Sequence, residues 1–178
     1  MKYLFYILAI IILLGLNLGI FGNLQVQNQI PNLLLLLVIC FSLEKKGFDF
    51  FFIAFISGIF LDSFSAGFFG GFTLSLITLG LLIHFLSNNL MVMEINWKSL
   101  IVLMLGSLVF VNFTLWLYGL ISFKLNASPD YVNFHSFISG FAISFLYNLT
   151  LLYPMYLFYN ILRNNIDSYS IRRRGVVR

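Results

Sequence analysis

Asp62 is the acidic residue that lies inside an apolar segment of this 178-residue chain, in the stretch GIFLDSFSAGFFGG. At the centre of a membrane helix an Asp costs roughly 2.5–3.5 kcal/mol on insertion scales, so it needs a partner or a purpose. Two chemistries suit it. It can accept hydrogen bonds from the N–H groups that open a following helix near Gly70, or it can serve as a docking or ligand contact. Glu44 and Asp49 flank a turn at the far end of the same segment, so no carboxylate pair forms for acid–base work. His84 and His135 fall near opposite ends of their segments, which excludes a shared metal; each reads as an interfacial or hydrogen-bonded residue. Cys40 is the single cysteine, so no disulfide or thiolate metal site arises within one chain. No Ser–His or Cys–His pair shares a depth, and there is no H-x-x-x-H and no glycine-rich phosphate loop. The expectation is a protein without catalytic, cofactor-binding or metal-binding residues, and not an enzyme. Asn17, Thr73, Ser75, Asn112 and Thr114 gather polarity in one half of the chain's segments. Their default role is interhelical hydrogen bonding, about 0.6 kcal/mol each on average. The sharper alternative is a shallow pocket in the outer half.

The elements that must position these groups are apolar. Hydrophobic residues make up 61% of the chain and charged residues 9%. The mean hydropathy is +0.99. A soluble domain carries about 25% charged residues, so the class is integral membrane, one domain, with no room for a soluble enzyme domain. The pI of 9.3 reflects basic residues at segment ends, which is a topology signal and not a nucleic-acid footprint. Spans are expected over 3–21, 31–43, 48–64, 70–86, 100–120 and 134–162, followed by a loose basic tail over 163–178. Lys2 before an apolar run resembles a signal peptide. No A-x-A-like site follows, so the first segment reads as an uncleaved helix. Pro31 opens the second segment, where its missing N–H is no loss. That segment is short, hence tilted or shielded by protein. Pro154 is expected to kink the sixth.

An all-α bundle of six transmembrane helices puts both termini on one side. With that side cytoplasmic, Lys2, Lys45, Lys46, Lys98, Arg163 and the Arg172-Arg173-Arg174 cluster lie inside, against Lys124 outside, as the positive-inside rule asks. The arginine cluster also suits anionic lipid headgroups. Ala54, Gly58, Asp62 and Ala66 recur every fourth residue and share one helix face, which turns Asp62 toward a neighbouring helix. Ser136, Gly140 and Ser144 make a similar face. Gly15 and Gly19 form G-x-x-x-G, with Gly22 beyond, a pattern suited to close helix packing.

Pro31-Asn32-Leu33, the aliphatic run Leu34 to Ile39, the basic turn, Gly58-x-x-x-Asp62, and Gly67 and Gly70 before another helix together resemble the rod shape-determining MreD family. Phe69 stands where that family often has Pro, and Asn32 where it often has Asp. The resemblance implies a six-helix fold shared with the substrate-binding subunits of energy-coupling-factor vitamin transporters. It implies a non-enzymatic, multi-pass subunit of the cell-elongation machinery in the bacterial cytoplasmic membrane. Its partners would be MreC, a bitopic protein with a large periplasmic part, and, within one complex, MreB filaments, the RodA glycosyltransferase and a penicillin-binding transpeptidase. Together they support peptidoglycan synthesis and cell shape. The partner-binding or structural residues would be Pro31, Asn32, Gly58, Asp62, Gly67 and Gly70, with no cofactor and no nucleic acid. The alternative is the vitamin-binding subunit itself, which needs an outer pocket. The first segment offers Ala9 without a second Ala four residues away, so the A-x-x-x-A coupling motif of those subunits is absent there. A small membrane enzyme needs a reactive constellation that the sequence lacks.

Overall fold

The computed structural model describes residues 2–25, 29–44, 48–65, 69–89, 97–124 and 134–175, and among them the side chains of all but 89, 97–99, 122–123, 134–139 and 167–175. Every regular element among these residues is a helix. Helix α1, Lys2–Gly19, turns Tyr6, Ala9, Ile10, Leu13 and Asn17 inward. Those positions step by three and four residues along one helical face. A short 3-10 helix, Phe21–Leu24, follows.

Helix α2, Leu33–Ser42, reads LLLLLVICFS and is apolar on every side. A helix with no polar stripe has no face to offer water and is enclosed by protein or by lipid. All ten of its residues are buried. At 1.5 Å per residue it is about 15 Å long, half the thickness of a ~30 Å hydrocarbon layer. It contacts α3, Asp49–Phe64; α4, Gly71–Asn89; α5, Trp97–Lys124; and α6, Phe134–Gly175, as well as α1. The short second segment is therefore shielded by protein and forms the centre of the bundle.

Among the described residues four helical stretches have the length and composition to cross a membrane: Lys2–Leu24, Gly71–Asn88, Leu100–Ile121 and Gly140–Ile166. Their outward residues are large and apolar. Leu4 and Ile11 of α1, Phe85 of α4, Val102 of α5 and Ile161 of α6 are all exposed, while Asn17, Ser57, Asp62, Ser75 and Asn148 are buried. A fold in water distributes these the other way, so the surface suits a lipid solvent.

Two expectations need correction. The loose tail over 163–178 is helical as far as Gly175, because α6 continues through it. Between Pro154 and Gly175 no proline or glycine interrupts the helix, and glycine is a common stop. The G-x-x-x-G of α1 does not pack inside the chain. A Cβ at Gly15 or Gly19 would meet nothing within 4 Å. The inward stripe that ends in Asn17 occupies α1's buried face, and Gly15 lies about 200° around the helix from Leu13, two residues before it. The expected kink site, Pro154, is itself exposed and lies within the continuous helix α6, between the buried Leu152 and Met155.

Candidate functional site: the starts of α2 and α4

Helix α4 begins without a capping side chain of its own. Phe69 and Gly70 precede it, and neither can accept a hydrogen bond through its side chain. The acceptor comes from α3. Asp62 Oδ1 accepts from Phe72 N at 2.9 Å, and Oδ2 accepts from Thr73 N at 3.0 Å and Thr73 Oγ1 at 2.5 Å. The carboxylate is 3% exposed and sits where the helix dipole is positive. Of the two chemistries the sequence allowed Asp62, the geometry supplies the helix cap, and both oxygens are committed to it.

Two glycines make that reach possible. A Cβ on Gly58 would collide with Thr73 Cα and stand 2.9 Å from Thr73 N. Only glycine there lets α3 approach α4 closely enough for the residue one turn on, Asp62, to meet the N–H groups of Phe72 and Thr73. Gly70 has φ +104°, the left-handed region that glycine enters without steric penalty. The Gly58-x-x-x-Asp62 pattern is thus a contact surface and a cap, both directed at Thr73. Ala54 on the same face is fully buried; Ala66 and Gly67 lie outside the described residues.

Helix α2 starts differently. Asn32 is its N-cap, and Asn32 Oδ1 accepts from Leu35 N at 3.0 Å. Asn32 N donates to Asn148 Oδ1 of α6 at 3.0 Å. Asn148 is fully buried, and its Nδ2 donates to Ser144 O at 2.7 Å. Pro31, buried before the cap, has no N–H to satisfy. Helix α5 joins α4 through Thr114 Oγ1, which donates to Ser75 Oγ at 2.8 Å, and Tyr118 OH, which donates to Phe69 O at 3.1 Å.

Comparison with known protein families, curated proteins and solved structures finds no match.

The sequence-derived residues therefore fall into two groups at one end of the bundle. Gly58, Asp62 and Gly70 organise the start of α4; Pro31 and Asn32 organise the start of α2. Between them lies a cavity of about 190 Å³, walled by residues that include Asn32, Leu61 and Phe72. Asn17 and Asn112 also line it, while Thr73 is engaged by Asp62.

The other end carries two ion pairs. Lys2 Nζ pairs with Asp49 Oδ1 at 2.7 Å, and Tyr6 OH donates to Asp49 Oδ2 at 2.9 Å. Arg163 Nη1 lies 3.1 Å from Glu44 Oε1, to which Tyr159 OH donates at 2.6 Å. Sequence reasoning missed Asn148, Tyr6 and Tyr159. Ser144 and Asn148, four residues apart in an apolar helix, were a visible polar stripe; the tyrosines were not separable from ordinary interfacial aromatics. Among the described residues no three His, Cys, Asp or Glu side chains gather to hold a metal. His84 stacks on Phe50 with ring centroids 4.7 Å apart, and its Nε2 lies 3.0 Å from Asn88 Nδ2. The side chain of His135 lies outside those described.

Proposed function

We propose that this chain is a non-enzymatic scaffold subunit of the MreD type, placed in the bacterial cytoplasmic membrane and serving the complex that elongates the cell and builds peptidoglycan. The observation that carries the reading is the use made of residues 31–71. Asn32 and Asp62 commit their acceptors to starting helices, and Gly58 gives its missing side chain to a backbone contact. A motif so used makes a rigid frame, which is what a scaffold offers its partners.

In this reading the chain crosses the membrane six times, the second time through α2 together with the non-helical residues 29–32 that lead into it, and both termini are cytoplasmic. Support comes from Lys2 and Arg163, which meet Asp49 and Glu44 on either side of the α2–α3 turn. The expected partner is an MreC-like bitopic protein, with MreB, RodA and a penicillin-binding transpeptidase in the same complex. Its single membrane helix fits the outward face of α1, where Gly15 and Gly19 leave open space and small residues permit close approach.

Co-expression with the MreC-like neighbour and capture in detergent tests this. Wild type is expected to capture the partner, and Gly15→Leu combined with Gly19→Leu is expected to lose most of it without a lower melting temperature. Undiminished capture by the double variant would remove α1 as the docking face; failure of wild type to capture would remove the scaffold reading. The polar lining of the cavity beside Asn17 favours one second reading, the substrate-binding subunit of an energy-coupling-factor transporter, although its volume of about 190 Å³ would have to widen to admit a vitamin. A vitamin held by the purified protein would establish it.

A further inference from the structure

The cavity between the starts of α2 and α4 has a wall that the helix caps do not explain. Asn17 lines it from α1, Asn112 from α5, Ser144 from α6, and Gln29 and Asn32 from the segment that leads into α2. Most of this polarity is engaged. Asn32 Oδ1 accepts from Leu35 N, Asn112 Nδ2 donates to Leu108 O at 2.9 Å, and Ser144 O accepts from Asn148. Among these residues Asn17 carries an acceptor that is both buried and unmet. It is 3% exposed, and its Oδ1 has no hydrogen-bond partner.

A buried acceptor left unpaired costs about 1–3 kcal/mol. Asn17 stands on a stripe whose other members, Tyr6, Ile10 and Leu13, pack into the apolar core. A leucine would fill that position without any unpaired atom. The carboxamide is therefore a liability to the fold unless a donor meets it.

We infer that this cavity binds an uncharged small molecule, or the uncharged head of a lipid, through an N–H or O–H donor directed at Asn17 Oδ1. The size agrees. The cavity holds about 190 Å³, the room of about six liquid waters, below the ~300 Å³ lower bound of sites for drug-sized ligands. The chemistry agrees as well. Among the described residues its lining carries amides, a hydroxyl and apolar side chains, and no charge. An ion would lose its hydration there without a counter-charge, whereas carboxamides offer a neutral guest both donors and acceptors. Gly140 contributes by absence: a Cβ there would overlap the Gln29 side chain, so glycine lets Gln29 lie against α6 and wall the cavity. This inference stands on the cavity and does not depend on the scaffold reading.

The full chain, purified in mild detergent, provides the test. Native mass spectra are recorded, and melting is followed with propionamide and, separately, with monoolein, whose glycerol head presents hydroxyls. Wild type is expected to retain an adduct or to melt higher with one of these probes, and Asn17→Leu is expected to lose that response. A lipid adduct or a monoolein shift assigns the guest to the membrane; a propionamide shift assigns it to a solute. Asn112→Leu, on the facing wall, is expected to weaken the same response and decides the matter if Asn17→Leu does not fold. The inference is overturned if wild type carries no adduct and responds to neither probe, or if Asn17→Leu keeps the wild-type response. In the first case the cavity is a hydrated gap, and Asn17→Leu would melt above wild type.

Discussion

Asp62 and Gly58 act on the same residue of the next helix, and their substitutions should separate a cap from a contact. Asp62→Ala leaves Phe72 N, Thr73 N and Thr73 Oγ1 without their acceptor. Loss of about 2–3 kcal/mol is expected, at the upper end of cap losses, because buried donors are left unpaired. Asp62→Asn keeps one carbonyl oxygen and turns an NH₂ toward a backbone N–H, so its loss should be smaller but real. Denaturant unfolding in detergent measures both; an Asp62→Ala protein as stable as wild type would contradict the cap. Gly58→Ala should lower stability by about 1–3 kcal/mol through overpacking, since its Cβ meets backbone at Thr73 and not the end of a flexible side chain. Gly15→Ala, in open space inside α1, serves as the control and should raise stability by about 0.5–1 kcal/mol through helix propensity.

At the scale of the element, α2 is the part of the fold most sensitive to change. Leu36 has no exposed surface and touches only other protein, so Leu36→Ala should lose about 2–5 kcal/mol, transfer and cavity terms together. Leu4 of α1 is 67% exposed, and Leu4→Ala should leave unfolding in detergent nearly unaltered. Equal sensitivity of the two positions would mean that α2 is not enclosed. The run LLLLLVICFS made the alternatives legible, a helix too short to span by itself and therefore tilted or shielded by protein. Its apolar sides suit lipid as well as protein, and only the fold encloses it. What was not legible was which helices surround it. That depends on the faces of α1, α5 and α6, and each of those is apolar over most of its circumference, so hydrophobicity alone does not choose a side.

For the whole molecule, Cys40 provides a natural probe. It is the single cysteine, it is 3% exposed, and it sits in the central helix. A maleimide added to the folded protein in detergent should label it slowly, and denaturant should raise the rate by orders of magnitude in one step. Rapid labelling of the folded chain would place α2 at the surface. The same arrangement gives the two ends of the bundle different characters. One is held by carboxylate and carboxamide caps, the other by the Lys2–Asp49 and Arg163–Glu44 pairs.

Local chemistry alone determined the helical segments and the turn glycines, and it left Asp62 two destinations, a cap or a contact. Apolar runs must form helices in lipid because every backbone group needs a partner within its own segment, and an acid beside a glycine-bearing turn finds its nearest donors in the helix that follows, ten residues on. The tertiary structure alone decided the rest. Asn32 and Asn148 meet across 116 positions of sequence, the tail joins α6, and α1 turns Asn17 inward while Gly15 and Gly19 face out. In α1 the glycine stripe and the Asn17 stripe were rival faces of one helix. The choice rests on how well each surface packs against α2, α3 and α6, a sum over long-range contacts that no local pattern contains.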